Sequence, residues 1–369
     1  MRWKTNVFLP VFGLSLLLLI YKVHSILRHS RTSMVQSLEP EPESSTTAQT
    51  SQTRILLTIY FYTPPELAEL VAEVRGNLPI TINTTFSTPF DIPPLIDLKE
   101  AYERMHTMDR ERSRHSPELY AMWNGKPYYL DEALRNANSQ SNQYSYAFWI
   151  DAGSFRSEHV YRNWPDSGRV EEIWDEGSRV SGVAKEDLLF FPMWNPPHAS
   201  MSNWEDSLGP VDTEFSEGSF FGGSPQTIRW WREIFFLYHD HYLSEGVFVG
   251  KDQTLINALF LIFPSRIITV WLFDPDAPAY TDQGIQDTEV SLGNCGDNWY
   301  YYEFWLSNVQ TRNGMRNLWY SKSWFHWWKD RSTCRLTRVL SIKDVLTRRF
   351  GAAWTPPKAT LSLGPSSLR

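Results

Sequence analysis

The sequence predicts an α/β domain built on a mostly parallel sheet, and three observations carry that expectation. Short apolar runs alternate with capped amphipathic segments along the body, the pattern of strand–helix–strand units. Hydrophobic residues make up 42% and charged residues 21% of 369 positions, which supplies a buried core and excludes a disordered chain. No internal repeat is present, which excludes solenoids and propellers.

The first element precedes that domain. Residues 7–21, VFLPVFGLSLLLLIY, form an unbroken run of low polarity between Arg2 and Lys4 on one side and Lys22 and Arg28 on the other. Extended to Val23, the run reaches about the lower limit for a helix that crosses a bilayer. A cleaved signal peptide competes, with Val23-His24-Ser25 as its processing site. Lys22, directly after the run, favours an uncleaved anchor. Residues 1–28 are thus expected to be a cytosolic tip and a transmembrane anchor, apolar over 7–23. Residues 29–53 have no aromatic side chain and are crowded with Ser, Thr, Glu, Gln and Pro, so they read as a flexible stalk. Anchor, stalk and body together predict a single-pass type II protein of the Golgi or endoplasmic reticulum membrane with a lumenal body. Asn83-Thr84-Thr85 is then a usable glycosylation sequon.

The body, residues 54–350, opens on the strand ILLTIYFY, 55–62. A helix over 65–75 stops at Gly76, and another covers about 98–112. The stretch 119–134, LYAMWNGKPYYLDEAL, reads as strand, loop and helix and contains Asn124 and Lys126. Tyr144 to Ile150 reads as a strand, followed by short strands at 188–194 and 219–223. Ser224-Pro225 then starts a helix that runs to about Leu243, with Ser as cap and Pro at its first position. A helix over 252–263, a strand over 266–273 and a basic helix over 341–349 complete the body; residues 351–369 read as a disordered tail.

Charge narrows the function. The net charge is -7, yet from Lys329 onward nine basic residues face two acids, so the first 328 residues carry -14. A body this acidic excludes nucleic acid as a partner. Cys295 and Cys334 have no zinc spacing and leave two possibilities, one disulfide or two thiols. Aromatic residues at 15% serve either as core or as platforms for flat ligands such as sugars.

In open α/β sheets, ligands bind beyond the C-terminal ends of the strands. Asp151 ends the strand YAFWI and precedes Ala152, Gly153 and Arg156. A carboxylate there either holds a hard divalent cation that bridges a diphosphate or caps a turn. Asp252-Gln253 opens a helix, where the dipole favours an acid and where a carboxylate can also orient an acceptor hydroxyl. Glu217-Gly218 and Gly222-Gly223 surround a strand edge beside a helix N-terminus, a place for a sugar to lie against backbone. Asp274-Pro275-Asp276 is ordinary turn chemistry. His239 and His241 point to different helix faces and make a poor metal pair.

Four segments, MWNGKPYYLDEAL, YAFWIDAGSFR, EGSFFGGSP and GKDQTLINALF, resemble in order and separation the HtrL/YibB-like glycosyltransferase-type family, and most closely its fungal type II membrane members. The resemblance spans about residues 54–330. It implies a GT-A-like nucleotide-sugar-binding sandwich, with Asp151 as the first acid of the family's Asp-x-Asp motif and Asp252 on the acceptor side. Gly153 stands where the second acid belongs. On this resemblance the chain is expected to move a sugar from a nucleotide-sugar donor to a glycan, glycoprotein or glycolipid acceptor, with Mn²⁺ or Mg²⁺ held by Asp151. Lys126, Asp151, Gly153, Arg156, Gly222, Gly223 and Gln253 are expected to bind the donor, and Asp252 and Glu217 to be catalytic. A non-catalytic carbohydrate-binding protein on the same scaffold is the alternative, favoured by the missing second acid.

Overall fold

The computed structural model describes residues 59–138, 144–162, 164–277, 295–321 and 334–363. Strands β1 (Ile59–Tyr62) and β2 (Ile80–Asn83) form a small parallel pair. Between them α1 (Ala68–Arg75) ends at Gly76, whose φ of 61° is a conformation glycine adopts without steric cost. Helices α2 (Lys99–His106) and α3 (Pro117–Asn138) lead to β3 (Ala147–Ile150). Then follow α4 (Ser167–Ser181), β4 (Leu189–Phe190), β5 (Phe220–Gly223), α5 (Pro225–Ser244), α6 (Asp252–Ile262) and β6 (Ile267–Val270). Helices α7 (Tyr301–Trp305) and α8 (Val309–Ser321), strand β7 (Val339–Ser341) and helix α9 (Ile342–Phe350) close the order.

The main sheet runs β3-β5-β4-β6-β7. Its β3–β5, β4–β5 and β6–β7 pairings are antiparallel and only β4–β6 is parallel. The expected mostly parallel, GT-A-like sheet is therefore corrected to a mixed α/β fold on a mostly antiparallel sheet. The reason lies in one connection. Residues 191–219 join β4 to β5 through two 3-10 turns, Ala199–Asn203 and Asp206–Leu208, and without a crossover helix the chain returns antiparallel.

The strands separate two cores by side-chain alternation. Phe191, Phe221 and Ile267 pack with α3, α5 and α6, while Phe190, Phe220 and Ile268 face α4 and α7. Ser224 caps α5 as its sequence signal predicts, accepting the Thr227 N–H at 3.2 Å. Two further departures have local causes. The stretch read as strand, loop and helix over 119–134 is part of one continuous helix, with Pro127 inside it. Residues 351–363, read as disordered tail, pack Trp354, Leu361 and Leu363 on the core, and Thr360 donates both N–H and hydroxyl to Asp206, at 2.7 and 2.8 Å.

The membrane expectation is corrected as well. Among the described residues no helix is long and apolar enough to cross a membrane, so the expected single-pass span is not found there. The apolar run 7–23 and the stalk 29–53 lie outside the described residues. Cys295 and Cys334 form a disulfide with Cα atoms 5.1 Å apart, which decides between the two thiol possibilities.

Candidate functional site

Four elements distant in sequence meet at one ammonium group. Lys126 lies midway along α3, in a helix buried on most sides. Its Nζ donates to the Gly218 carbonyl at 2.8 Å. It also stands 3.1 Å from Asp252 Oδ2 and 3.4 Å from Asp151 Oδ1. Asp151 directly follows β3, Gly218 precedes β5, and Asp252 is the first residue of α6, so the sheet ends and two helices fix the group from four directions. Gly218 allows this approach, because a Cβ there would stand 3.3 Å from Asp252 Oδ2 and 3.2 Å from Gln253 Cγ.

Burial and charge oppose each other here. Burial lowers the Lys126 ammonium, but the charges of Asp151 and Asp252 outweigh it, so its affinity for the proton rises above the ordinary lysine value. Lys126 therefore remains a cation. Burial raises the Asp252 carboxyl more than Lys126 lowers it. Glu217, 3% exposed, is pushed well above the ordinary carboxylate range by burial and then by the charge of Asp297.

The expected divalent cation does not fit this arrangement. The Lys126 ammonium already fills the space between the two carboxylates, and Asp151 Oδ1 also accepts the Trp149 indole N–H at 2.7 Å. An ion placed between the two carboxylates would have to displace a buried, hydrogen-bonded cation, and Gly153 offers no second carboxylate beside Asp151. Among the described residues, Asp109, Glu111 and His115 gather three potential ligand atoms. That group is satisfied internally. Asp109 Oδ2 accepts from His115 Nδ1 and the Tyr120 hydroxyl, both at 2.6 Å, its Oδ1 accepts the Glu111 N–H, and Glu111 pairs with Lys251.

The remaining expected residues divide. Gln253 donates to the Ser216 carbonyl at 2.8 Å and ties the 216–219 loop to α6. Arg156 is exposed, its Nε donates to the Gly153 carbonyl, and its guanidinium lies 5.1 Å above the Tyr300 ring. Gly222 and Gly223, expected to shape a sugar pocket, are instead buried within the sheet. A Cβ on Gly222 would fall 2.3 Å from Phe148 Cδ1 and 2.5 Å from the Ala147 carbonyl, and one on Gly223 would fall 2.3 Å from Thr227 Cγ2. Their smallness serves strand packing. His239 is likewise structural, bonded to the Tyr102 hydroxyl and to Asp240, each at 2.8 Å. The Asp274–Asp276 turn is held by Arg338 and Arg348.

Sequence reasoning missed the continuation of the site. Ser154 Oγ donates to the Asp151 carbonyl at 2.8 Å and accepts the Tyr302 hydroxyl at 2.9 Å. This link brings α7 alongside, with Asp297, Tyr300 and Glu303 in reach of Arg156. The signal was a lone Glu inside the aromatic run WYYYEFW, 299–305, where an acid is rarely buried without purpose. Comparison of the chain with family models, with curated proteins and with solved structures found no match.

Proposed function

We propose that this protein transfers a sugar from a nucleotide-sugar donor to a hydroxyl acceptor. One observation carries the reading: the four segments that resemble the glycosyltransferase-type family converge within hydrogen-bonding distance of Lys126. That convergence follows from no packing rule for four loops and ends of elements, whereas a ligand site requires it.

In this reading Lys126 is a built-in cation that holds Asp151 and Asp252 in place without a metal ion. The exposed guanidinium of Arg156 meets the donor diphosphate. The acceptor oxygen attacks the anomeric carbon. The bond from that carbon to the phosphate oxygen breaks, and its electron pair leaves with the diphosphate. The hydroxyl proton passes to Asp252, which burial makes a stronger base than an ordinary aspartate. A non-catalytic carbohydrate-binding protein is the second reading, favoured by the pairing of Asp252 with Lys126, which leaves that acid partly committed.

Mass spectrometry separates the two. The full chain is incubated with a panel of nucleotide sugars and neutral glycosides. Release of nucleoside diphosphate that Asp252→Asn abolishes supports transfer. Glycoside binding with no turnover of any donor supports the second reading.

A further inference from the structure

Of the two acids beside Lys126, only Asp151 is open to solvent, its side chain 38% exposed against 8% for Asp252. The two are also held differently. Lys126 directs its N–H bonds to the Gly218 carbonyl at 2.8 Å, to Asp252 Oδ2 at 3.1 Å and to Asp151. The last contact is the longest and is divided, 3.4 Å to Oδ1 and 3.5 Å to Oδ2, at the outer limit of a hydrogen bond. It supplies charge and little direction. The Trp149 indole N–H, 2.7 Å from Asp151 Oδ1, has the length of a charge-assisted bond and sets the orientation of the carboxylate.

Strand geometry makes this contact. Residues two apart project to the same side of an extended chain, and Asp151 directly follows β3, which carries Trp149. The indole is itself fixed. It packs half-buried on the core that holds α3, stacks on the Tyr129 ring at 6.3 Å and 26°, and its residue pairs with Phe221 of β5. The Asp151 backbone is fixed too, its N–H by the Ser219 carbonyl at 2.9 Å and its carbonyl by the Ser154 hydroxyl at 2.8 Å. With Oδ1 held from within, Oδ2 keeps only the long contact with Lys126 and is the oxygen left for a ligand.

We propose that Trp149 is a positioning residue of the donor site, holding Asp151 so that Oδ2 accepts a hydroxyl of the nucleotide sugar. The hydroxyl rests on the transferase reading; the hold of Trp149 on Asp151 does not. Chemistry selects the hydroxyl. A carboxylate repels a diphosphate and so meets a neutral hydrogen-bond donor. A single free oxygen matches one hydroxyl, whereas a forked donor requires both oxygens. Nucleotide sugars carry hydroxyls in two places, on the ribose and on the sugar to be transferred.

The test is titration calorimetry of the full chain with uridine, guanosine, cytidine and adenosine diphosphates, their 2′-deoxy and 3′-deoxy forms, and the corresponding nucleotide glucoses and mannoses. Trp149→Phe keeps a ring on Tyr129 and loses the N–H, so the tightest ligand should bind about tenfold more weakly. Because Trp149 acts through Asp151, adding Trp149→Phe to Asp151→Asn should change affinity by less than about twofold. Losses that multiply in the double variant would mark Trp149 as merely structural and overturn the proposal. If the ribose supplies the hydroxyl, one deoxy form should bind the wild type about tenfold more weakly and Trp149→Phe hardly so. If the transferred sugar supplies it, the deoxy forms bind normally, and a nucleotide sugar should exceed its diphosphate by about tenfold in the wild type alone. Diphosphate binding with neither preference overturns the hydroxyl and leaves the transferase reading standing. The hydrogen bond is read separately, in a nitrogen–proton correlation spectrum of the labelled indoles. Asp151→Asn should move one indole N–H upfield, the one missing from Trp149→Phe. No indole shift overturns the positioning role, even where Trp149→Phe does not fold. If the wild type binds no nucleotide, the transferase reading and the hydroxyl fall together, and the indole shift alone decides whether Trp149 holds Asp151.

Discussion

Replacing Glu303 by glutamine should change how the protein's stability depends on pH. Burial, and after it the charge of Asp297, moves the Glu303 carboxyl from its ordinary 4.5 to about 8. The unfolded chain ionises the same group at its ordinary value. Between the two values the folded protein holds a proton that the unfolded chain has released. Each pH unit climbed through that window therefore removes about 1.4 kcal/mol of stability. The contribution is fully present below about pH 4.5, declines through the window and is gone above about pH 8. Glutamine is neutral at every pH and nearly isosteric, so Glu303→Gln lacks the decline. From pH 5 to pH 8 the unfolding free energy of the variant should gain about 4 kcal/mol on the wild type. Urea denaturation followed by tryptophan fluorescence measures this, because every other titrating group is shared and cancels in the difference. Profiles that stay parallel to within about 1 kcal/mol over that range would refute the claim that Glu303 is buried as a neutral acid.

Three further outcomes follow from the geometry. Lys126→Met removes the cation between Asp151 and Asp252 and leaves Asp252 buried with no cation beside it and only the Gln253 N–H as a partner, so urea denaturation at pH 7 should register a loss of about 3–5 kcal/mol; a loss below about 1 kcal/mol would show that the ammonium does not organise the site. Gly222→Ala places a Cβ against the Ala147 carbonyl and the Phe148 ring and should cost about 1–3 kcal/mol, while an unchanged melting temperature would mean that β3 and β5 are farther apart. Replacing both Cys295 and Cys334 by Ser opens a link across 39 residues. This should cost about 4 kcal/mol by chain entropy, and a melt identical to wild type would contradict that contribution.

What the sequence made legible was the chemistry-bearing segments. Asp151 and Asp252 stand out because an acid at the end of an apolar strand, or at the start of a helix, has a local physical reason to be there, and both reach Lys126. The Ser224-Pro225 helix start was legible for the same reason. Lys126 itself was placed on a loop, since Asn-Gly-Lys-Pro is turn chemistry in isolation. In the protein the helix continues, with Asn124 bonded to the Tyr102 hydroxyl and the Val249 carbonyl, each at 2.9 Å. Tertiary packing overrides local preference there. Helix α4 was not read because Asp166-Ser167-Gly168 resembles a turn, although Asp166 caps the helix by accepting the Arg169 N–H. Strand direction was not legible at all. Strands of two to four residues carry no signal of their sense, which here depends on what connects β4 to β5. The glycines of β5 were misassigned because smallness serves a ligand and a neighbouring strand equally well.

The proposed donor site is organised by the Lys126 ammonium in place of a metal ion. Titration calorimetry of the full chain with uridine, guanosine, cytidine and adenosine diphosphates, once in EDTA and once with Mn²⁺, addresses that claim directly. The account predicts that at least one of the four binds and that its Kd is the same in both buffers. Binding that appears only with Mn²⁺ would contradict the built-in cation, and no binding of any diphosphate in either buffer would contradict the donor site itself.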